Sequence, residues 1–194
     1  MIALVVPTLY FLAGVIVCAM LYILLATALR GDRPAVLAFA TMCLFSALAA
    51  IFSAQSLQAN TSATFLHATR LNVDCILVAT WAATAFIALY VGHTGRIARA
   101  ALLAYAGVCL ALLAGNEVLP YGLQYRQFSG ITHLRLPWGE PLAQGLGRSG
   151  LPALLAVAAL YGMMPYAIGA LWWYYRRTRQ PGALWLFIAQ VCFV

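Results

Sequence analysis

Long apolar runs separated by short polar turns dominate this chain. Met1 to Leu29 carries no charged residue at all. Further runs follow at Ala35–Ala54, Leu71–Val91, Ala100–Gly115 and Leu151–Tyr175. A helix needs roughly 20 apolar residues to cross a bilayer core, fewer if the membrane thins and more if it tilts. Five of the runs meet that length closely enough. The sixth, Ala183 to Val194, is too short to span unaided, so the chain is expected to stop inside a transmembrane helix. The pattern predicts an all-α membrane protein: a polytopic helical bundle of five full spans plus a truncated sixth. Pro152 suits the first turn of the fifth span, and Pro165 is placed to kink its middle. The first run lacks a basic leader and a small-residue cleavage site, so a signal peptide is a poor reading.

The polar interruptions fill in the layout. "RGDRP" (Arg30 to Pro34) reads as a charged turn, "QSLQANTSATFLHATR" as a polar connection, and "RRTRQPG" as the stop of the fifth span. The only sizeable segment outside the runs is Asn116 to Gly150. Within it "LQYRQFSGITHLRL" alternates between two faces around Ser129-Gly130. This predicts a β-hairpin pairing Leu123 with Leu136 and Tyr125 with Leu134, resting on the helix ends for support.

Composition agrees with the runs. Charged residues make up 8% of the 194-residue chain and mean hydropathy is +0.93. A soluble domain carries about 25% charged residues, which excludes an ordinary aqueous fold. The net charge of +7 comes entirely from arginines scattered in small groups between apolar runs. They read as topology determinants rather than a nucleic-acid surface. Arg30, Arg33, Arg96, Arg99, Arg176, Arg177 and Arg179 fall on one side, and Arg70, Arg126, Arg135 and Arg148 on the other. The richer side is expected in the cytoplasm, with the N-terminus and the long loop outside. Trp172, Trp173, Tyr174 and Tyr175 beside Arg176 form the expected inner aromatic belt.

Candidate chemistry is sparse. Cys18, Cys43, Cys75, Cys109 and Cys192 fall one per apolar run, with no CxxC, so no metal or disulfide framework is implied. There is no HExxH, no paired carboxylate at catalytic spacing and no facing histidine pair for haem; no catalytic residue, metal or cofactor is expected. His93 reads as a solvated turn residue. One stretch stands out, "FLHATRLNVDCILVATW" (Phe65 to Trp81), which places His67, Arg70 and Asp74 on one helical stripe continued by Trp81. Ionisable groups near a span end either anchor the helix or line a polar site. An Arg70–Asp74 pair would set the depth of the third helix. Alternatively the stripe forms the floor of an outward-facing ligand pocket, with Asn116 and Glu117 as its other wall.

The order of these features resembles the membrane sensor regions of about seven helices that precede bacterial histidine kinases and diguanylate cyclases. The likeness rests on "YFLAGVIVCAMLYILLATALRG", "FATMCLFSALAAI", "FIALYVGHTGR" and an outer loop of the type "LPYGLQY…LRLPWGEPL". It implies one transmembrane sensor domain over residues 1–194 in a bacterial inner membrane. Such a region takes a small-molecule or lipid signal, pairs as a homodimer through the part beyond Val194, and drives a cytoplasmic effector located there. The family has no invariant catalytic residue in its membrane part. Two other classes stay open, an accessory subunit of a larger complex and half of a transporter. A coiled coil and effector encoded after Val194 would favour the sensor, and a stop codon the subunit.

Overall fold

The computed structural model describes residues 4–27, 33–93 and 95–193. In chain order these form α1 (Val5–Thr27), α2 (Arg33–Leu57), α3 (Ser62–Tyr90), α4 (Arg96–Val118), β1 (Gln127–Arg135), β2 (Pro141–Arg148), α5 (Leu151–Gly162), α6 (Met164–Thr178) and α7 (Pro181–Phe193). Arg30, Gly31 and Asp32 of the expected charged turn lie outside the described residues, as do Thr94 and the side chains of Arg33 and Cys192. Five stretches are long and apolar enough to cross a membrane: Val5–Leu24, Pro34–Leu57, Ser62–Tyr90, Arg96–Val118 and Leu151–Thr178. The chain is thus a multi-pass helical protein with a small antiparallel sheet between its fourth and fifth spans. Phe11, Tyr22, Leu103, Leu110 and Leu154 stand exposed on the outer faces of these helices. Hydrocarbon, not water, solvates such faces.

Apolar attraction between helices is weak in lipid, so close packing and interhelical hydrogen bonds must hold them. The α2–α3 pair uses both. Cys43, Ala47 and Ala54 on one helix and Cys75, Ala79 and Ala82 on the other are buried, and their small size lets the backbones approach. Asn72 Nδ2 then donates to Ala49 O (2.7 Å) and Ser53 Oγ (2.8 Å) across the pair. The polar connection expected at Gln55–Arg70 is much shorter. Helix runs to Leu57 and restarts at Ser62, because Thr61 Oγ1 accepts the Thr64 amide (3.2 Å) as an N-cap.

The fifth span is two helices rather than one kinked helix. Proline at position 165 has no amide hydrogen to give the carbonyl four residues back, Tyr161 O, and its ring crowds that carbonyl. The helix accordingly ends at Gly162 and restarts at Met164 with Pro165 in its first turn. Tyr105 Oη from α4 donates to Ala159 O (3.0 Å), supplying a partner for a carbonyl of the last α5 turn.

A hairpin is present, but its turn is not at Ser129-Gly130. β1 continues straight through that dipeptide and pairs with β2, from Gln127↔Arg148 to Arg135↔Pro141, with a bulge between Phe128 and Gly130. The reversal is Pro137-Trp138-Gly139. Gly139 N donates to Leu136 O (2.8 Å) and Leu136 N to Glu140 O (3.0 Å). Proline presets the first turn position and Gly139 takes the left-handed conformation (φ 89°) that closes a three-residue loop. The expected Leu123–Leu136 and Tyr125–Leu134 pairs are therefore absent; Leu134 faces Leu142 instead. The sheet does rest on the helices, through Phe65 of α3 packed with Ala143, Tyr125, Phe128 and Ile131.

At the opposite end of α3, Ile87 and Val91 pack with Ala167, Ala170 and Leu171 of α6, and Leu186 and Phe187 of α7 cover them. Arg177 stacks over Trp173 (5.4 Å) and Arg179 over Tyr175 (5.8 Å), so the expected aromatic belt and its arginines are joined by cation–π contacts.

Candidate functional site

The helical stripe meets α4 where Asn116 and Glu117 were expected. Asn116 is 1% exposed and uses both ends of its amide. Its Nδ2 donates to Asp74 Oδ1 (2.8 Å) and Arg70 O (3.0 Å), and its Oδ1 accepts the Leu123 amide (2.9 Å). Glu117 is exposed beside Asp74. The structure thus brings Arg70, Asp74, Asn116 and Glu117 together. His67 is exposed and makes no hydrogen bond to them, and Trp81 is exposed about two turns past Asp74 along α3.

The expected Arg70–Asp74 partnership is replaced by two separate ones. Arg70 Nη2 reaches Leu119 O (2.7 Å) and Pro120 O, the carbonyls just past the end of α4. A cation there opposes the negative end of the helix dipole and meets acceptors the helix leaves open. Asp74 is held by Asn116 instead. Gly122 closes the cluster with φ 68°, and a Cβ there would sit 2.7 Å from Asn116 Oδ1. These contacts tie α3, α4 and the following loop together, and within them Arg70 Nε is buried with no hydrogen-bond partner among the described residues.

Glu140, absent from the sequence-based candidates, builds a second cluster. It is 5% exposed at the exit of the hairpin turn. Its Oε2 accepts the amides of Leu4 (2.9 Å) and Val5 (3.1 Å) and the Trp138 indole (3.0 Å), and its Oε1 accepts the Val6 amide (3.4 Å). A helix start leaves four amides without internal partners. Here Glu140 takes three, and the fourth position is Pro7, which has no amide hydrogen. The Trp138 indole and then the α1 amides favour the ionised form, holding the Glu140 carboxyl down at about 2. The available signal was indirect: α1 has no capping side chain of its own, and the chain holds only four acidic residues.

Beside this contact lies a pocket of about 890 Å³ between the α1 start, the α2–α3 turn and the hairpin. Tyr10, Gln58, Asn60, His133 and Glu140 supply its polar groups. A second cavity, of about 560 Å³, lies among α1, α2, α3 and the α5–α6 break. It is lined mainly by apolar side chains with Ser46, Thr80 and Thr84 among them. Among the described residues no group of three or more histidine, cysteine or acidic side chains is placed to hold a metal ion.

Comparisons with family models, curated proteins and solved structures return no match. The multi-pass helical organisation implied by the resemblance to sensor regions is present, and a link to kinases or cyclases gains no support from these comparisons.

Proposed function

We propose that this chain is the signal-input region of a bacterial inner-membrane receptor, receiving its signal at the hairpin end and passing it to a cytoplasmic effector. The hairpin end is outside and the Arg176–Arg179 end inside, on the arginine asymmetry. The observation that carries the reading is the pocket beside Glu140. A molecule seated there touches the hairpin, the α1 start and the α2–α3 turn at once. Its polar groups other than Glu140 are uncharged or a histidine, which suits a small hydrogen-bonding ligand. Such a ligand acts only through unequal affinity for two arrangements of those elements. The α5–α6 break supplies a place where the fifth span can change its angle.

The test joins α7 in helical register to the cytoplasmic part of a reporter kinase. Output set by this region, and altered when His133→Trp fills the pocket, supports an input role. Output identical to that of a bare membrane anchor, with and without the substitution, rejects it. A transporter remains the second reading, since a broken helix beside a mid-span cavity is how many transporters build their sites. Substrate flux in vesicles containing this chain alone would favour it.

A further inference from the structure

The 560 Å³ cavity lies far from both polar clusters. Ile16 is near the middle of the first span, Ser46 of the second, Thr80 and Ala83 of the third, and Met163 of the fifth. The phase meeting the cavity at that depth is hydrocarbon. Its volume falls within the range of about 300–1,000 Å³ typical of small-molecule sites. Four hydroxyls line it. Thr80 Oγ1 donates to Ile76 O (2.8 Å) and Thr84 Oγ1 to Thr80 O (2.9 Å). Tyr161 is half exposed at the rim. Ser46 is partly buried, and its hydroxyl makes no protein hydrogen bond among the described residues. A hydroxyl left unmatched in hydrocarbon is costly. What matches it is one acceptor or donor on an otherwise apolar molecule. The remaining wall includes Met42, Met163 and Met164, unbranched side chains that adapt to varied apolar shapes.

We propose that the cavity binds a neutral, membrane-dissolved lipid with an apolar body and a single hydroxyl or carbonyl group, which hydrogen-bonds Ser46. Because Met163 is both a lining residue and the break between α5 and α6, the occupant sits against the segment that sets the angle of the fifth span. This site stands apart from the pocket beside Glu140, and the failure of either leaves the other intact.

The experiment uses the whole chain in phosphatidylcholine nanodiscs with a diazirine-bearing long-chain alcohol as photoprobe. Labelling is expected to concentrate on residues 76–87 of α3 and 160–167 around the break. An unlabelled long-chain alcohol should compete better than the alkane of equal length. Ser46→Ala, which removes one oxygen and keeps the packing, should erase that advantage, a change of roughly two- to ten-fold for one hydrogen bond. Ala83→Phe should abolish the labelling by filling the space. The proposal is overturned by labelling spread over lipid-facing positions such as Phe11 and Leu154. Equal competition by alcohol and alkane in the unsubstituted chain overturns it too. So does preferential capture of a phospholipid carrying the diazirine in its acyl chain, which would make the occupant an ordinary tail.

Discussion

Asn116 joins three parts of the chain through one amide, and its removal strands both an amide and a carboxylate. Leu123 N and Asp74 Oδ1 each lose a partner inside packed protein. Asn116→Ala is expected to cost about 3 kcal/mol, read from detergent-micelle unfolding. Gly122→Ala is expected to cost about 2 kcal/mol, because the left-handed backbone disfavours a Cβ and the Cβ meets Asn116 Oδ1. The two penalties share an atom. In the Asn116→Ala background the glycine substitution should cost less, and strictly additive losses would show that the close approach is not felt. Glu140 supplies a pH test at the same scale. Its folded value of about 2 lies below the ordinary 4.5, so it stabilises the α1–hairpin contact above pH 4.5 and loses that contribution as pH falls toward 2. Fluorine NMR of fluorotryptophan at Trp138 should stay constant from neutral pH through 4.5 and shift only as pH nears 2. Glu140→Gln should lack that transition, and a shift centred near neutral pH in the unsubstituted chain would contradict the assignment.

Elements were legible in proportion to how local their causes are. The apolar runs gave the membrane helices within a few residues except at the start of α3, since spanning length is a property of a run by itself. The extension of α3 back to Ser62 needed the Thr61 cap, a signal confined to "NTSAT" and readable there. The hairpin turn was misplaced because alternation looks the same in one long strand and in two short ones. Only "PWG", with proline then glycine at the positions a three-residue loop requires, separated the two. Pro165 was read correctly as a disturbance, but breaking the helix also requires a partner for the freed carbonyls, and Tyr105 comes from another helix. Tyr105→Phe is expected to destabilise the chain by about 1 kcal/mol, chiefly by leaving Ala159 O without its partner. Pro165→Ala restores an amide opposite Tyr161 O. Spin labels at Leu154 and Trp173 should then move apart as the two segments straighten. An unchanged separation would assign the break to packing around Met163 instead of to proline.

For the whole molecule, the sequence pointed to the right neighbourhood and misassigned the contacts within it. Arg70, Asp74, Asn116 and Glu117 do meet, because one stripe of α3 and the end of α4 reach the same end of the bundle. Which of them bond is decided by open backbone carbonyls after α4 and by the Leu123 amide, groups that a side-chain pattern leaves out. Glu140 was missed for the same reason, its partners being amides more than 130 positions away. The same end-to-end arrangement makes orientation testable. Glu140 bonded to the start of α1, and Phe65 of α3, hold the hairpin at one end, while His93 contacts Tyr166 and Trp173 near the other. Arg176, Arg177 and Arg179 belong to that second end, which the proposed orientation, drawn from the positive-inside rule, expects in the cytoplasm. A cysteine introduced at exposed Gln144 in β2 should react with a membrane-impermeant maleimide added to intact cells, and one at Arg177 only after lysis. Among the described cysteines Cys43, Cys75 and Cys109 are buried and Cys18 is exposed, so a Cys18→Ala, Cys192→Ala background keeps native thiols out of the readout. The reverse labelling pattern would place the hairpin inside the cell. The Glu140 contact would survive that result unchanged, but the pocket beside it would then face cytoplasmic solutes, and an extracytoplasmic signal would be excluded.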